Sequence, residues 1–84
     1  MIVIVTEDHI IRGRRYSASW CPVALAIREA TGKETLVGVS EVFIEDKEPY
    51  GTTYKLPEEV NRFTSDFDYS RKVYPLKFKL DLES

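Results

Sequence analysis

The run Leu76-Lys77-Phe78-Lys79-Leu80-Asp81-Leu82 alternates apolar and charged residues without a break. Successive side chains of a strand point to opposite faces, so this segment reads as a strand with one face on a core and one in solvent. A strand of this kind suits an antiparallel or mixed sheet with helices packed on one face.

The remaining elements follow from periodicity and capping. Ile2-Val3-Ile4-Val5 is a continuous β-branched run, the pattern of a central strand buried on both faces. Thr6 is placed to cap a short helix over residues 7 to 12, with Glu7 and Asp8 in its first turn and Gly13 as a left-handed terminator. Pro22 opens a second helix that runs to Thr31 and stops at Gly32, with Ser19 or Cys21 as its cap. Val23, Ala26, Ile27 and Ala30 form one stripe of that helix and Arg28 and Glu29 lie outside it. Leu25 falls off the stripe, either covered by the first helix or exposed. Thr35 to Ser40, Glu41 to Glu45 and Thr52 to Lys55 read as the strands of an antiparallel meander, with an acidic turn between the last two. Leu56-Pro57-Glu58-Glu59 starts a third helix carrying Val60, Phe63 and Phe67 at helical spacing, and Asp68 to Lys72 is a polar loop. The order β-α-α-β-β-β-α-β describes a small α+β fold.

A chain of 84 residues makes one compact domain, residues 1–84, and a fold of this size buries roughly 60 to 65% of the surface its unfolded chain exposes. The 12 basic and 14 acidic residues leave a net charge of −2, which argues against nucleic acid wrapping the whole surface but leaves room for a local basic patch. The lone Cys21 cannot form an internal disulfide, so a reducing cytoplasm is the expected location. No apolar run approaches the length of a membrane span, and the opening Met1-Ile2-Val3-Ile4-Val5 has neither the basic leader nor the long apolar region of a signal peptide. No membrane association is expected.

Recognition chemistry concentrates between Arg12 and Pro22. Arg12, Arg14, Arg15, Tyr16 and Trp20 crowd the approach to the second helix. Arg, Tyr and Trp are the residues most enriched at the energetic centres of protein interfaces. The same groups can fork onto phosphates and stack on bases beside free helix N–H groups. They can also pack over a small core with the arginines solvated or paired to nearby acids. Cys21 at a helix start, with His9 elsewhere in the chain, could form an activated thiolate, but no nucleophile signature or second cysteine accompanies it. One Cys and one His fall short of a metal site. Gly13, Gly32, Gly38 and Gly51 match no nucleotide-binding loop, so no cofactor is expected. Glu45, Asp46 and Glu48, and separately Glu58 and Glu59, form acidic clusters that read as solvated surface or as a negative face aimed at a basic groove of another protein.

His9-Ile10-x-x-Gly13, Cys21-Pro22-Val23-Ala24-Leu25-Ala26-Ile27, Tyr54-x-Leu56-Pro57-Glu58-Glu59-Val60-x-x-Phe63, Phe67-Asp68 and Val73-x-Pro75-x-x-Phe78-x-Leu80 together resemble a family of small bacteriophage and prophage proteins. The resemblance spans nearly the whole chain, and its motifs are structural: a proline-started helix, a Leu-Pro helix start and a terminal strand. The chain departs from that family in having Tyr16-Ser17-Ala18-Ser19-Trp20 where an additional cysteine or glycine often precedes the Cys-Pro pair. What the resemblance implies is a non-enzymatic accessory protein of phage type that binds a host protein, such as a defence or nucleic-acid-processing factor, and can inhibit it. The expected binding residues are Arg12, Arg14, Arg15, Tyr16 and Trp20. A nucleic-acid-binding module using the same loop, and a Cys21-dependent enzyme or redox sensor, are the alternatives.

Overall fold

The computed structural model describes residues 1–46 and 50–81. Its elements are β1 (Ile2–Val5), α1 (Glu7–Arg12), α2 (Pro22–Thr31), β2 (Thr35–Val37), β3 (Glu41–Ile44), β4 (Thr52–Lys55), α3 (Glu58–Asp68) and β5 (Leu76–Lys79). The architecture is small α+β, with the strands divided between two antiparallel sheets. β1 pairs with β5, setting Val3 opposite Phe78 and Val5 opposite Leu76. β2, β3 and β4 form a meander in which Val42 faces both Val37 and Tyr54. Glu48 of the acidic turn and Leu82 of the terminal alternation lie outside the described residues.

α2 joins the sheets. It packs on β1, β2, α1 and α3, and every residue from Pro22 to Ile27 is buried. Its apolar face meets Val3, Val5, Val37, Val42, Ile44, Tyr54, Leu56, Val60, Phe63, Phe78 and Leu80 in one core. Leu25 is buried as well. The local signals that start the helices act as the sequence implies. The His9 N–H donates to Thr6 Oγ1 at 3.3 Å and the Thr6 N–H to His9 Nδ1 at 2.9 Å, a reciprocal cap on α1. Cys21, rather than Ser19, caps α2: its Sγ accepts from the Ala24 N–H at 3.4 Å. Gly32 ends α2 at φ +70°, a conformation glycine adopts without steric cost.

Three expectations are corrected. β1 is buried on one face only: Val3 and Val5 are inside and Ile2 and Ile4 are exposed. It belongs to a two-stranded sheet with α2 on one face, so the β-branched run has a solvent side. β2 stops at Val37 because Gly38 N–H bonds back to the carbonyl of Glu41 at 2.7 Å, turning the chain and leaving Val39 in solvent. Gly13 is not left-handed; its φ is −69° and ψ 154°. A Cβ there would lie 2.6 Å from the Pro22 ring and 2.9 Å from the His9 carbonyl oxygen, so close approach of the two helices, not backbone handedness, demands glycine.

Gly13→Ala is therefore expected to destabilise the fold by about 1–3 kcal/mol through overpacking, read as a lower urea midpoint at unchanged slope. A neutral or stabilising effect, as at an unhindered glycine, would contradict the close approach.

Candidate functional site

The arginine-rich segment leaves α1 and returns to α2 at nearly the same point, since Gly13 lies against Pro22. It closes on itself through Arg14 N–H to the Trp20 carbonyl at 2.8 Å, Cys21 N–H to the Ser17 carbonyl at 3.2 Å and Trp20 N–H to Ser17 Oγ at 3.0 Å. The result is a compact surface loop with adjacent ends. Three contacts fasten it to the body of the protein. The Val37 N–H of β2 donates to the Ala18 carbonyl at 2.9 Å. The Tyr16 N–H donates to Asp68 Oδ1 at 2.9 Å, at the end of α3. The Arg15 guanidinium donates to Ser70 Oγ.

Tyr16 sits at φ +56°. A non-glycine residue in the left-handed region costs of order 1–3 kcal/mol and persists where its surroundings hold it. Here the Asp68 carboxylate holds its amide, and Tyr69 meets its ring edge-to-face with centroids 5.9 Å apart. Both rings remain largely in solvent, Tyr16 at 69% and Tyr69 at 64% exposure.

The five sequence-selected residues divide into two groups. Arg12 faces α2: its Nε contacts Asp8 Oδ2 at 2.7 Å and its Nη2 contacts Glu29 Oε2 at 2.8 Å. Glu29 Oε1 lies 3.0 Å from His9 Nε2. Because His9 Nδ1 accepts the Thr6 amide, its proton belongs on Nε2, which donates to the carboxylate. The bond from Arg12, and then that from His9, hold Glu29 below the usual carboxylate range. Arg12 thus clasps α1 to α2. Arg14, Arg15, Tyr16 and Trp20 are exposed together on the loop. Trp20 carries the Arg28 guanidinium over its ring, 4.6 Å from the centroid, and Arg28 Nη2 also lies 3.5 Å from Glu34 Oε2.

Beneath the loop lies an open cleft of about 470 Å³ between the loop, the β2–β3 turn and the last turns of α3. Tyr16 and Tyr69 stand at its wall with Val39, and Asp68 is the charged residue lining it. Cys21 also borders it, but the residue is only 2% exposed. Burial pushes its thiol up, and the negative charge of Asp68 adds to the shift. A second hollow, about 410 Å³, lies beside Arg15 and is lined by Arg71, Lys72 and Ser70 over Ile10, Phe67 and Val73. Arg71 pairs with Asp66 at 3.2 Å and stands 5.6 Å from the Tyr69 ring centroid, and Lys72 stands 5.4 Å from that of Tyr74.

Arg28, Val39, Asp68 and Tyr69 are the contributors that sequence reading missed. Asp68 lies 52 residues from Tyr16 along the chain, and no local spacing announces that contact. One member of each acidic cluster has a local partner: Glu58 lies 3.5 Å from Arg62, and the Tyr54 hydroxyl donates to Asp46, which holds the phenol above its ordinary value. Among the described residues no group of three or more His, Cys, Asp or Glu side chains converges on one point, and no helix is long and apolar enough to cross a membrane. No protein-family model, curated protein or solved structure matches the chain.

Native Cys21 is expected to react with iodoacetamide at neutral pH at least about tenfold more slowly than in the denatured chain, because the reactive thiolate is both disfavoured and covered. Alkylation faster than that of the denatured chain would identify an activated thiol.

Proposed function

We propose that this protein is a non-enzymatic accessory factor of phage type that binds a host protein in the host cytoplasm and can block it. Its contact surface is the loop formed by Arg14, Arg15, Tyr16 and Trp20, extended by Tyr69 and Val39 across the cleft. The observation that carries this reading is the exposed Tyr16–Tyr69 pair, with Tyr16 held in a left-handed conformation by Asp68. A contiguous exposed apolar patch marks an interaction site, and Tyr16, Tyr69 and Val39 come together on one cleft. Holding them in one conformation reduces the ordering cost of association. Arg12 contributes by fixing the loop's first end, not by contact. The buried, upward-shifted Cys21 thiol disfavours the redox or nucleophilic alternative.

A second reading, nucleic-acid binding, draws on the hollow in which Arg15, Arg71 and Lys72 gather beside Tyr69 and Tyr74. Cations interleaved with aromatics can follow a phosphate backbone and stack bases.

One capture experiment tests both. Wild type and the Arg14→Ala/Arg15→Ala/Trp20→Ala variant are immobilised and exposed to host lysate with and without nuclease. The expected result is a nuclease-resistant protein partner lost from the variant, each hot-spot truncation costing about 2 kcal/mol or more. Unchanged recovery by the variant would remove the loop as the site. Recovery of nucleic acid alone would favour the second reading, and recovery of nothing would overturn the binding class.

A further inference from the structure

β1 has an open edge unlike the other strand edges described. The Met1 amino group donates to the Leu80 carbonyl and the Leu80 N–H to the Met1 carbonyl, both at 2.8 Å. Such an exchange marks a hydrogen-bonded pair, and these alternate with non-bonded pairs along an antiparallel ladder. Val3 and Val5 therefore direct their N–H and C=O groups toward Phe78 and Leu76, while Ile2 and Ile4 direct theirs away from β5. The same alternation holds at β2. There the Glu45 N–H donates to the Glu34 carbonyl at 3.0 Å, so the Val37 groups point outward, where its N–H meets Ala18.

The four edges are guarded differently. β2 is covered at Val37 by the loop. On β5 the outward residues are Lys77 and Lys79. On β4, where Leu56 N–H donates to Ser40 at 3.0 Å, they are Thr53 and Lys55. Edge lysines are a common device against strand-to-strand association. β1 instead presents Ile2 and Ile4, exposed at 54% and 57%, with no charge on the strand. The elements packed closely on it are α2, on the opposite face, and β5.

We propose that the β1 edge is the contact surface of a symmetric dimer, in which β1 pairs antiparallel with β1 of a second copy. A register centred on Val3 sets Ile2 opposite Ile4 of the second copy, and the reverse. Each such pair exchanges two backbone bonds, satisfying all four outward N–H and C=O groups of each strand. A two-fold contact requires one self-complementary patch, and this strand is one. The product is a four-stranded sheet ordered β5-β1-β1-β5. Its outward face carries four adjacent isoleucines, with the Lys77 and Lys79 rows confined to the outer strands. Those rows lie three strand spacings apart, about 14 Å, beyond the Debye length of about 8 Å at physiological salt. Pairing through β5 would instead set the lysines of the two copies side by side, which is destabilising. This face is separate from the arginine loop. The contact rests on one four-residue strand from each copy, so the dimer is weak and forms only at high concentration.

Sedimentation velocity from about 10 μM to about 1 mM, the range of weak association, tests this. Wild type is expected to rise from 9.7 kDa toward twice that mass, with the Ile2 and Ile4 amides gaining protection from hydrogen exchange as concentration increases. Ile2→Lys/Ile4→Lys is expected to raise the dissociation constant at least about tenfold while keeping the circular dichroism spectrum of the folded chain; its thermal midpoint falls, since each new lysine also faces Lys79 or Lys77 within its own sheet. Lys79→Glu should leave the dissociation constant within about twofold, because that row does not face the second copy. The proposal is overturned by a wild type that stays at 9.7 kDa throughout, even if its β1 edge accepts an extended peptide. It is equally overturned by a folded double-lysine variant that dimerises like wild type, or by strong tightening in Lys79→Glu, which would place the contact on β5.

Discussion

The burial of α2 between two small sheets is the interaction on which the structure rests. The strands are three or four residues long and the sheets have two and three of them, too little to be stable alone without a helix against one face. α2 packs on both, through β1 and β2, and its Val23, Ala24 and Ile27 are fully buried. Removing one large aliphatic side chain from such a position costs about 2–5 kcal/mol, against a total of about 5–15 kcal/mol for a typical domain. The same packing fixes the start of α2, and with it the loop that leads into the helix. Pro22 is buried, Gly13 is held against Pro22, and the residues between them have only a short arc to occupy.

Much of this was legible in local chemistry. Thr6, Pro22, Gly32 and Leu56-Pro57 act where their backbone preferences place them, because caps and terminators depend on neighbours three or four residues away. The period-two run at the C-terminus marks a strand with one solvent face, although β5 ends at Lys79, short of the Leu76–Leu82 span of the pattern. What was not legible depends on assembly. The Ile2–Val5 run reads as doubly buried, and only the two-stranded sheet reveals that one face is free. Gly13 reads as a left-handed terminator, and only the return of the chain to Pro22 shows that its lack of a Cβ is what matters. Val39 reads as part of a strand until Gly38 is seen to turn the hairpin.

For the candidate site, composition identified the loop and structure sorted its members. Arg12 belongs to a clasp with Asp8, His9 and Glu29, whereas Arg14, Arg15, Tyr16 and Trp20 face outward. Asp68, Tyr69 and Arg28 join them from distant positions, for which the chain offers no local signal. Asp68 holds Tyr16 through the backbone and adds to the upward shift that burial gives the Cys21 thiol. On the proposed reading these features belong together: the aromatics are exposed, the arginines flank them and the one thiol is covered.

The loop is held rigid by the protein's own contacts. Backbone nitrogen-15 relaxation across residues 14–21 measures this most directly. Order parameters near about 0.85, the value of rigid backbone, are expected from Arg14 to Cys21, matching those of α2 and α3. Values below about 0.6 for Tyr16 and its neighbours would show a flexible loop and contradict a surface held ready by Asp68, Ala18 and the Gly13–Pro22 contact.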